Sequence, residues 1–198
     1  MRTSIHKAIS NPKLFKEQLL IWSQQFREVI FMDSNNYPHQ HSSFDCVLAV
    51  DAFTSIKTDY HSAFEDLKQY QQTTKDWLFG YLSYDLKNDV EILQSDNFDS
   101  LHFPDLFFFQ PKKIFLLRGN EVEIQYLMMC DEEVDGDFDE IKLQTAAIGM
   151  KATAVEIKQR ISKEEYLDKV SKMLFHIQQG DLYEANFCME FYAEKTIS

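Results

Sequence analysis

The chain has 198 residues, with 20 Lys or Arg against 32 Asp or Glu, a formal net charge of −12. Its 44% apolar content and 17 Phe are those of a globular chain, long enough to bury roughly 70% of its unfolded surface. The negative field and the lack of a basic stripe argue against nucleic acid and against an anionic membrane surface as partners.

In chain order, Asn11-Pro12 predicts the first helix, because Asn caps well and Pro fits the first turn. Leu14, Leu19, Ile21, Trp22 and Phe26 then recur near helical spacing. Residues 29–32 read as a strand, broken by turn chemistry over residues 33–38. Residues 44–52 predict a second strand. Residues 59–72 predict a helix with Phe64 and Leu67 on one face. Residues 77–84 read as an aromatic strand in which Gly80 marks a bulge or a close backbone approach. Leu106-Phe107-Phe108-Phe109 leads through Pro111 to Ile114-Phe115-Leu116-Leu117. Gly119-Asn120, followed by alternating Val122, Ile124 and Tyr126, then signals a β-hairpin.

Residues 131–140 are intensely acidic. Their spacing loosely imitates a calcium loop, but Lys142 stands where a bidentate Glu is needed, so a solvated loop and an acidic helix start are expected. Residues 154–161 predict a strand. Ser162-Lys163-Glu164-Glu165 is a capping box opening a helix, with Tyr166, Val170, Met173, Leu174 and Ile177 as its stripe and Gly180 as its stop. Residues 181–192 predict a last strand. The mixture of antiparallel pairs and helices gives α+β: largely antiparallel sheets with flanking helices.

Cys46, Cys130 and Cys188 are odd in number and form no CxxC pair, so neither a disulfide frame nor a zinc knuckle is indicated. With no signal-peptide run at the start and no apolar stretch of membrane-spanning length, a cytoplasmic setting is expected. The sequence holds no P-loop, GxGxxG, HExxH or GxSxG. His39 and His41 lie two apart in a turn, but no third ligand is suggested and no metal site is assigned.

Three stretches in order resemble one family. Gly180-Asp181-Leu182-Tyr183-Glu184-Ala185-Asn186-Phe187 is similar to the Gly-Asp-x-Tyr-Gln-x-Asn-Leu motif of chorismate-utilising enzymes. Leu78-Phe79-Gly80-Tyr81-Leu82-Ser83-Tyr84-Asp85, with Pro104-Asp105 after it, resembles that family's Gly-x-x-x-Tyr-Asp stretch. Val29-Ile30-Phe31-Met32-Asp33-Ser34, followed by Ser42-Ser43-Phe44-Asp45, looks like the region around its tryptophan-binding serine. Their order and spacing resemble the anthranilate synthase component I family, in its aminodeoxychorismate synthase branch, over roughly residues 20–195.

The resemblance implies the N-terminal region of that fold, divided into residues 1–150 with a tryptophan-type pocket and residues 151–198 as the start of the chorismate-binding domain. It implies an enzyme that aminates chorismate to 4-amino-4-deoxychorismate for folate synthesis, with Mg²⁺ and with ammonia from a glutamine amidotransferase subunit. The family's metal-binding glutamates, histidine and lysine lie downstream of the last motif. The chain therefore reads as an N-terminal fragment, inactive alone, with no catalytic residue or metal ligand of its own. Ser34, His41, Ser42, Ser43 and Phe44 are the candidate ligand-binding residues for a tryptophan-like amino acid. Ser42 and Phe44 agree with the family's run, whereas His41 and Ser43 replace its Tyr and Arg, which weakens the case for tryptophan itself. Glu184 is a candidate site-lining residue. Water-adding members of the family carry Lys at its position, and a carboxylate does not act as that lysine does at neutral pH. Two other readings stay open: component I of anthranilate synthase, and a non-catalytic amino-acid-binding regulatory domain.

Overall fold

A computed structural model describes residues 1–35, 37, 43–94, 98–99, 101–145 and 155–194. The chain is α+β and forms two compact units, Met1–Ala146 and Ala147–Ser198. No helix among the described residues is long and apolar enough to cross a membrane.

The first unit is built on a six-stranded antiparallel sheet of β1 (Arg2–Ala8), β2 (Val29–Asp33), β3 (Cys46–Thr58), β4 (Phe79–Leu82), β5 (Leu106–Arg118) and β6 (Glu121–Leu127). The strand order is β1-β6-β5-β3-β2, with β4 also paired to β5. The Gly119-Asn120 hairpin forms as expected, with Gly119 taking the positive φ of +52° that the tight turn needs. The two Phe- and Leu-rich runs on either side of Pro111 are one strand. Pro111 is tolerated inside it because the β4 and β6 ladders stop short of that residue on their edge of β5. The strand expected over residues 44–52 is longer than expected. It passes a bulge between Ala52 and Thr54, next to Asp51 at φ +61°, and runs on to Thr58.

Alternation along the strands sorts the core. Cys46, Leu48, Val50, Phe115, Leu117, Val122, Ile124 and Tyr126 cluster with α1 (Pro12–Ser23) and α4 (Val134–Leu143). Val47, Ala49, Ile114 and Leu116 gather with Phe79 and Phe109 in a second cluster. Asn11 caps α1, its side chain accepting from Leu14 N–H at 3.1 Å. The buried face of α1 is Phe15, Gln18, Leu19 and Trp22, an i, i+3, i+4, i+7 set. Leu14, expected in the stripe, lies one position off that face and is exposed.

The helix expected over residues 59–72 starts later, as α2 (Ala63–Thr74). Ser62 is left-handed at φ +57° and does not cap it. The cap comes instead from α3 (Lys87–Val90), whose Asp89 carboxylate accepts from Ser62 N–H at 2.9 Å and Phe64 N–H at 3.1 Å. Of the two residues placed on its inner face, Leu67 packs on a small third cluster, whereas Phe64 is exposed. Replacing Asp89 by Ala should therefore cost about 1–2 kcal/mol of stability. The loss should show as a lower urea midpoint with α2 amides the first to exchange, and unchanged α2 protection would refute the cap.

The acidic stretch is a 3₁₀ turn (Asp131–Glu133) followed by α4, and among the described residues no three His, Cys, Asp or Glu side chains are grouped to hold a metal ion. Most of its acids are exposed as expected, but Asp131 and Asp137 are part-buried. Lys113, with its side chain 6% exposed, lies 2.6 Å from both Glu133 and Asp137. Its ammonium stands 5.2–5.7 Å from the ring centroids of Trp22, Phe26 and Tyr126. Tyr126 donates its hydroxyl to Asp137 at 2.7 Å, and Trp22 donates Nε1–H to Glu140 at 2.9 Å.

In the second unit α5 (Lys163–Gln179) begins at Ser162, which accepts from Glu165 N–H at 3.1 Å. The Glu165 carboxylate pairs forward with Lys169 at 2.8 Å. Gly180, at φ +82°, closes the helix, with Asp181 N–H donating to His176 O at 3.0 Å. Of the expected stripe, Tyr166, Val170, Met173 and Ile177 are half-buried and Leu174 is exposed. The two strands expected here shrink to β7 (Lys158–Gln159) and β8 (Phe191–Tyr192), which pair with each other. β-rich composition alone does not make a strand: the rest of 155–161 and 181–192 has no ladder partner among the described residues.

Candidate functional site

The β2–β3 ladder ends where the candidate pocket was expected. Asp33 pairs with Cys46, and Ser34 N–H donates to Asp45 O at 2.9 Å, so Ser34 and Phe44 are drawn to the same end of the sheet. Ser34 is half-buried, and its carbonyl accepts from Tyr37 N–H at 2.9 Å. Phe44 packs on the second core cluster under the Arg118 guanidinium, 4.4 Å from its ring centroid. Ser43 is exposed. His41 and Ser42, with His39, lie outside the described residues.

Three residues outside the candidate set complete this corner. Asp45 accepts from Gly119 N–H at 2.6 Å and so ties the β2–β3 end to the β5–β6 turn. Lys16 reaches from α1 to Asp33 at 2.7 Å. Arg118 supplies a cation over an aromatic ring. No sequence spacing assigns these groups to one site, because they come from α1, the start of β3 and the end of β5, which only the fold brings together. The corner brings together hydroxyls, carboxylates and a guanidinium, donor and acceptor types that an amino acid's charged ends require.

The other two motif stretches have local structural work of their own. Gly80 passes so close to β5 that a Cβ there would lie 2.6 Å from Phe108 Cα and overlap the Phe107 carbonyl oxygen. Ser83 then donates both N–H and Oγ–H to Asp105, each at 2.8 Å, which fixes the Pro104-Asp105 pair against Tyr84-Asp85. In the second unit the Asp181 carboxylate lies 2.8 Å from His176 Nδ1, at the end of α5. Glu184 is exposed, in the irregular segment between α5 and β8.

The electrostatics of the first unit are dominated by carboxylates held ionised. Burial alone would raise Asp33, but hydrogen bonds from Lys16 and Asn35 N–H and the Lys16 charge outweigh it and hold its carboxyl below the usual value. Asp76 behaves likewise under Arg2, Gln110 and Trp77 N–H. Glu123 is lowered first by the hydrogen bond from Gln125. The Cys46 thiol is pushed up to about 12 by burial and by Asp33, and so is not a nucleophile. Because these carboxyls titrate lower in the folded chain than in the unfolded one, the unfolded chain takes up more protons as pH falls. Stability is full above the ordinary carboxylate range and is lost from about pH 5 downward, through the ordinary values to the lowered ones. Urea midpoints should fall across that window, and Asp76→Asn should flatten the fall. A midpoint rising with acid would reverse the assignment.

Against known proteins, no curated sequence matches the chain. The model of one family, described as chorismate binding enzyme, matches residues 18–197, and so takes in all three motif stretches. The chain belongs to the chorismate binding enzyme family.

Proposed function

We propose that the chain is part of the synthase subunit that aminates chorismate, with ammonia supplied by a glutamine amidotransferase subunit, to give 4-amino-4-deoxychorismate for p-aminobenzoate and folate synthesis. Two sequence observations support this reading: Glu184 stands where water-adding members of the family carry Lys, and His41 and Ser43 stand in place of the Tyr and Arg of the tryptophan-binding run, which leans away from the anthranilate branch. A carboxylate there is an acceptor and a negative charge at neutral pH, and so does not act as the lysine of the water-adding members does. The corner of Ser34, Ser43, Phe44, Asp45 and Arg118 is proposed to take an amino-acid-like ligand; His41 and Ser42 stay candidates on the sequence motif alone. Mg²⁺ enters through the family resemblance alone, and none of the described residues is assigned to it. The setting proposed is cytoplasmic.

The test uses the full-length protein with chorismate, ammonium and Mg²⁺, and separates the products by chromatography. 4-Amino-4-deoxychorismate supports the proposal. Anthranilate would move the chain to the tryptophan branch, and no turnover with retained amino-acid binding would make it a regulatory domain. Glu184→Lys is expected to lower ammonia-dependent turnover by roughly 10²-fold, the scale of one acid–base or charge-placing group. An unchanged rate would remove Glu184 from the site.

A further inference from the structure

β4 and β6 lie end to end along one edge of β5. β6 pairs with residues 113–118 and carries β1 on its far side, while β4 pairs with residues 106–109. Between them, residues 110–112 have no strand partner on that edge among the described residues. Side chains fill the slot. Gln110 N–H donates to Tyr70 Oη at 3.2 Å, and Pro111 has no N–H to satisfy. The Arg2 guanidinium donates to the carbonyls of Pro111 and Lys112 at 2.5 and 3.3 Å, and to that of Gln125 at 3.4 Å. Its Nε–H goes to the Asp76 carboxylate at 2.8 Å, which also accepts from Gln110 Nε2 at 2.7 Å. The Arg2 and Asp76 side chains are 9% and 17% exposed.

Apart from these bonds, β1 is held by its ladder to β6 and by Ile5 against the first core cluster, and β4 by its four-residue ladder to β5 and by buried Phe79. No residue of β1 is fully buried. Its other side-chain bonds run to acidic groups: Thr3 to Asp131 at 2.5 Å, Ser4 to Glu123 at 2.9 Å, Lys7 to Asp135 at 2.7 Å, and His6 to Glu121. The two ion pairs among them, Lys7–Asp135 and His6–Glu121, are at the surface, where such a pair contributes about 0–1 kcal/mol. β4 is four residues long and starts three residues after Asp76.

We propose that Arg2 is a latch that closes the slot in β5 and joins β1 to β4, so that the two strands open together and ahead of the rest of the sheet. Without its guanidinium, Asp76 is left with one side-chain donor and the Pro111 and Lys112 carbonyls lose theirs. The part-buried site then favours the opened state. The latch gives the N-terminal strand control over β4, which carries Gly80 and Tyr81 of the family motif.

Native-state amide exchange on the full chain tests it. In Arg2→Gln, amides of β1 and β4 should exchange roughly 10- to 100-fold faster than wild type, the scale of one buried, charge-assisted set of hydrogen bonds. The β2–β3 ladder and α1 should keep wild-type protection. Asp76→Asn should give the same pattern, and Arg2→Lys an intermediate one, because an ammonium reaches Asp76 without also serving both carbonyls. Uniform acceleration across the unit, or acceleration in β1 with β4 unchanged, would overturn the latch. Should Arg2→Gln not fold, the wild type decides: in low denaturant β1 and β4 should share one opening free energy, and two distinct ones would refute the coupling.

Discussion

Replacing Gly80 by Ala is expected to destabilise the first unit by about 3 kcal/mol and to detach β4 from β5. The added Cβ would overlap the Phe107 carbonyl oxygen and lie 2.6 Å from Phe108 Cα. Both are backbone atoms of the strand that carries the sheet, so no rotamer change relieves the overlap. Either β4 withdraws, taking Phe79 out of the second core cluster, or β5 bends where β3 holds it on the other edge. Gly136 provides a control from the same chain. It lies inside α4, and a methyl group added there would meet nothing within 4 Å, so Gly136→Ala should stabilise by about 0.5–1 kcal/mol through helix propensity. The same chemical change thus has opposite signs at two sites, read as urea midpoints moving in opposite directions. A Gly80→Ala midpoint within error of wild type would show that the two strands can separate at no cost.

Removing the Lys113 ammonium should be about as damaging. Burial alone would lower its pKa, but hydrogen bonds and charges from Asp137 and Glu133 outweigh it and raise it, so the lysine is charged throughout the neutral range. In Lys113→Ala, Asp137 keeps only the Tyr126 hydroxyl, and Glu133 loses its hydrogen-bonded cation. Breaking one side of a largely buried pair costs about 3–5 kcal/mol, because the stranded charge is the larger part of the loss. Lys113→Met keeps much of the stem that packs among Trp22, Phe26 and Tyr126 but still strands Asp137, whereas Glu133, half exposed, stays solvated. In combination with Asp137→Asn it should cost less than the sum of the two single changes, by about 0.5–3 kcal/mol. Additive costs would show that Lys113 and Asp137 act independently.

Legibility follows the range of the interaction. The Asn11 cap, the Ser162 cap, the Gly180 stop and the Gly119-Asn120 turn are readable because each depends on residues within five positions of one another. The helix over residues 59–72 begins later than its pattern predicts because its cap, Asp89, comes from 25 residues beyond Phe64. The strands over 154–161 and 181–192 are shorter than their composition predicts because a strand also needs a partner. At the candidate site the motifs indicate Ser34 and Phe44. They assign no role to Lys16, Asp45 or Arg118, whose partners belong to other elements and leave no spacing signal.

By itself, then, the sequence determined the α+β class, the caps at Asn11 and Ser162, the Gly119-Asn120 turn, a bulge or close approach at Gly80 and, through three ordered motifs, the chorismate binding family. The opening charge of −12 gave no hint of how the acids are used. Only the tertiary structure decided that, placing Glu133 and Asp137 around Lys113 and Asp76 against Arg2. The physical reason is that composition counts charges, whereas their effect depends on burial and on partners 20 to 74 positions away, which the folded sheet alone brings within hydrogen-bonding reach.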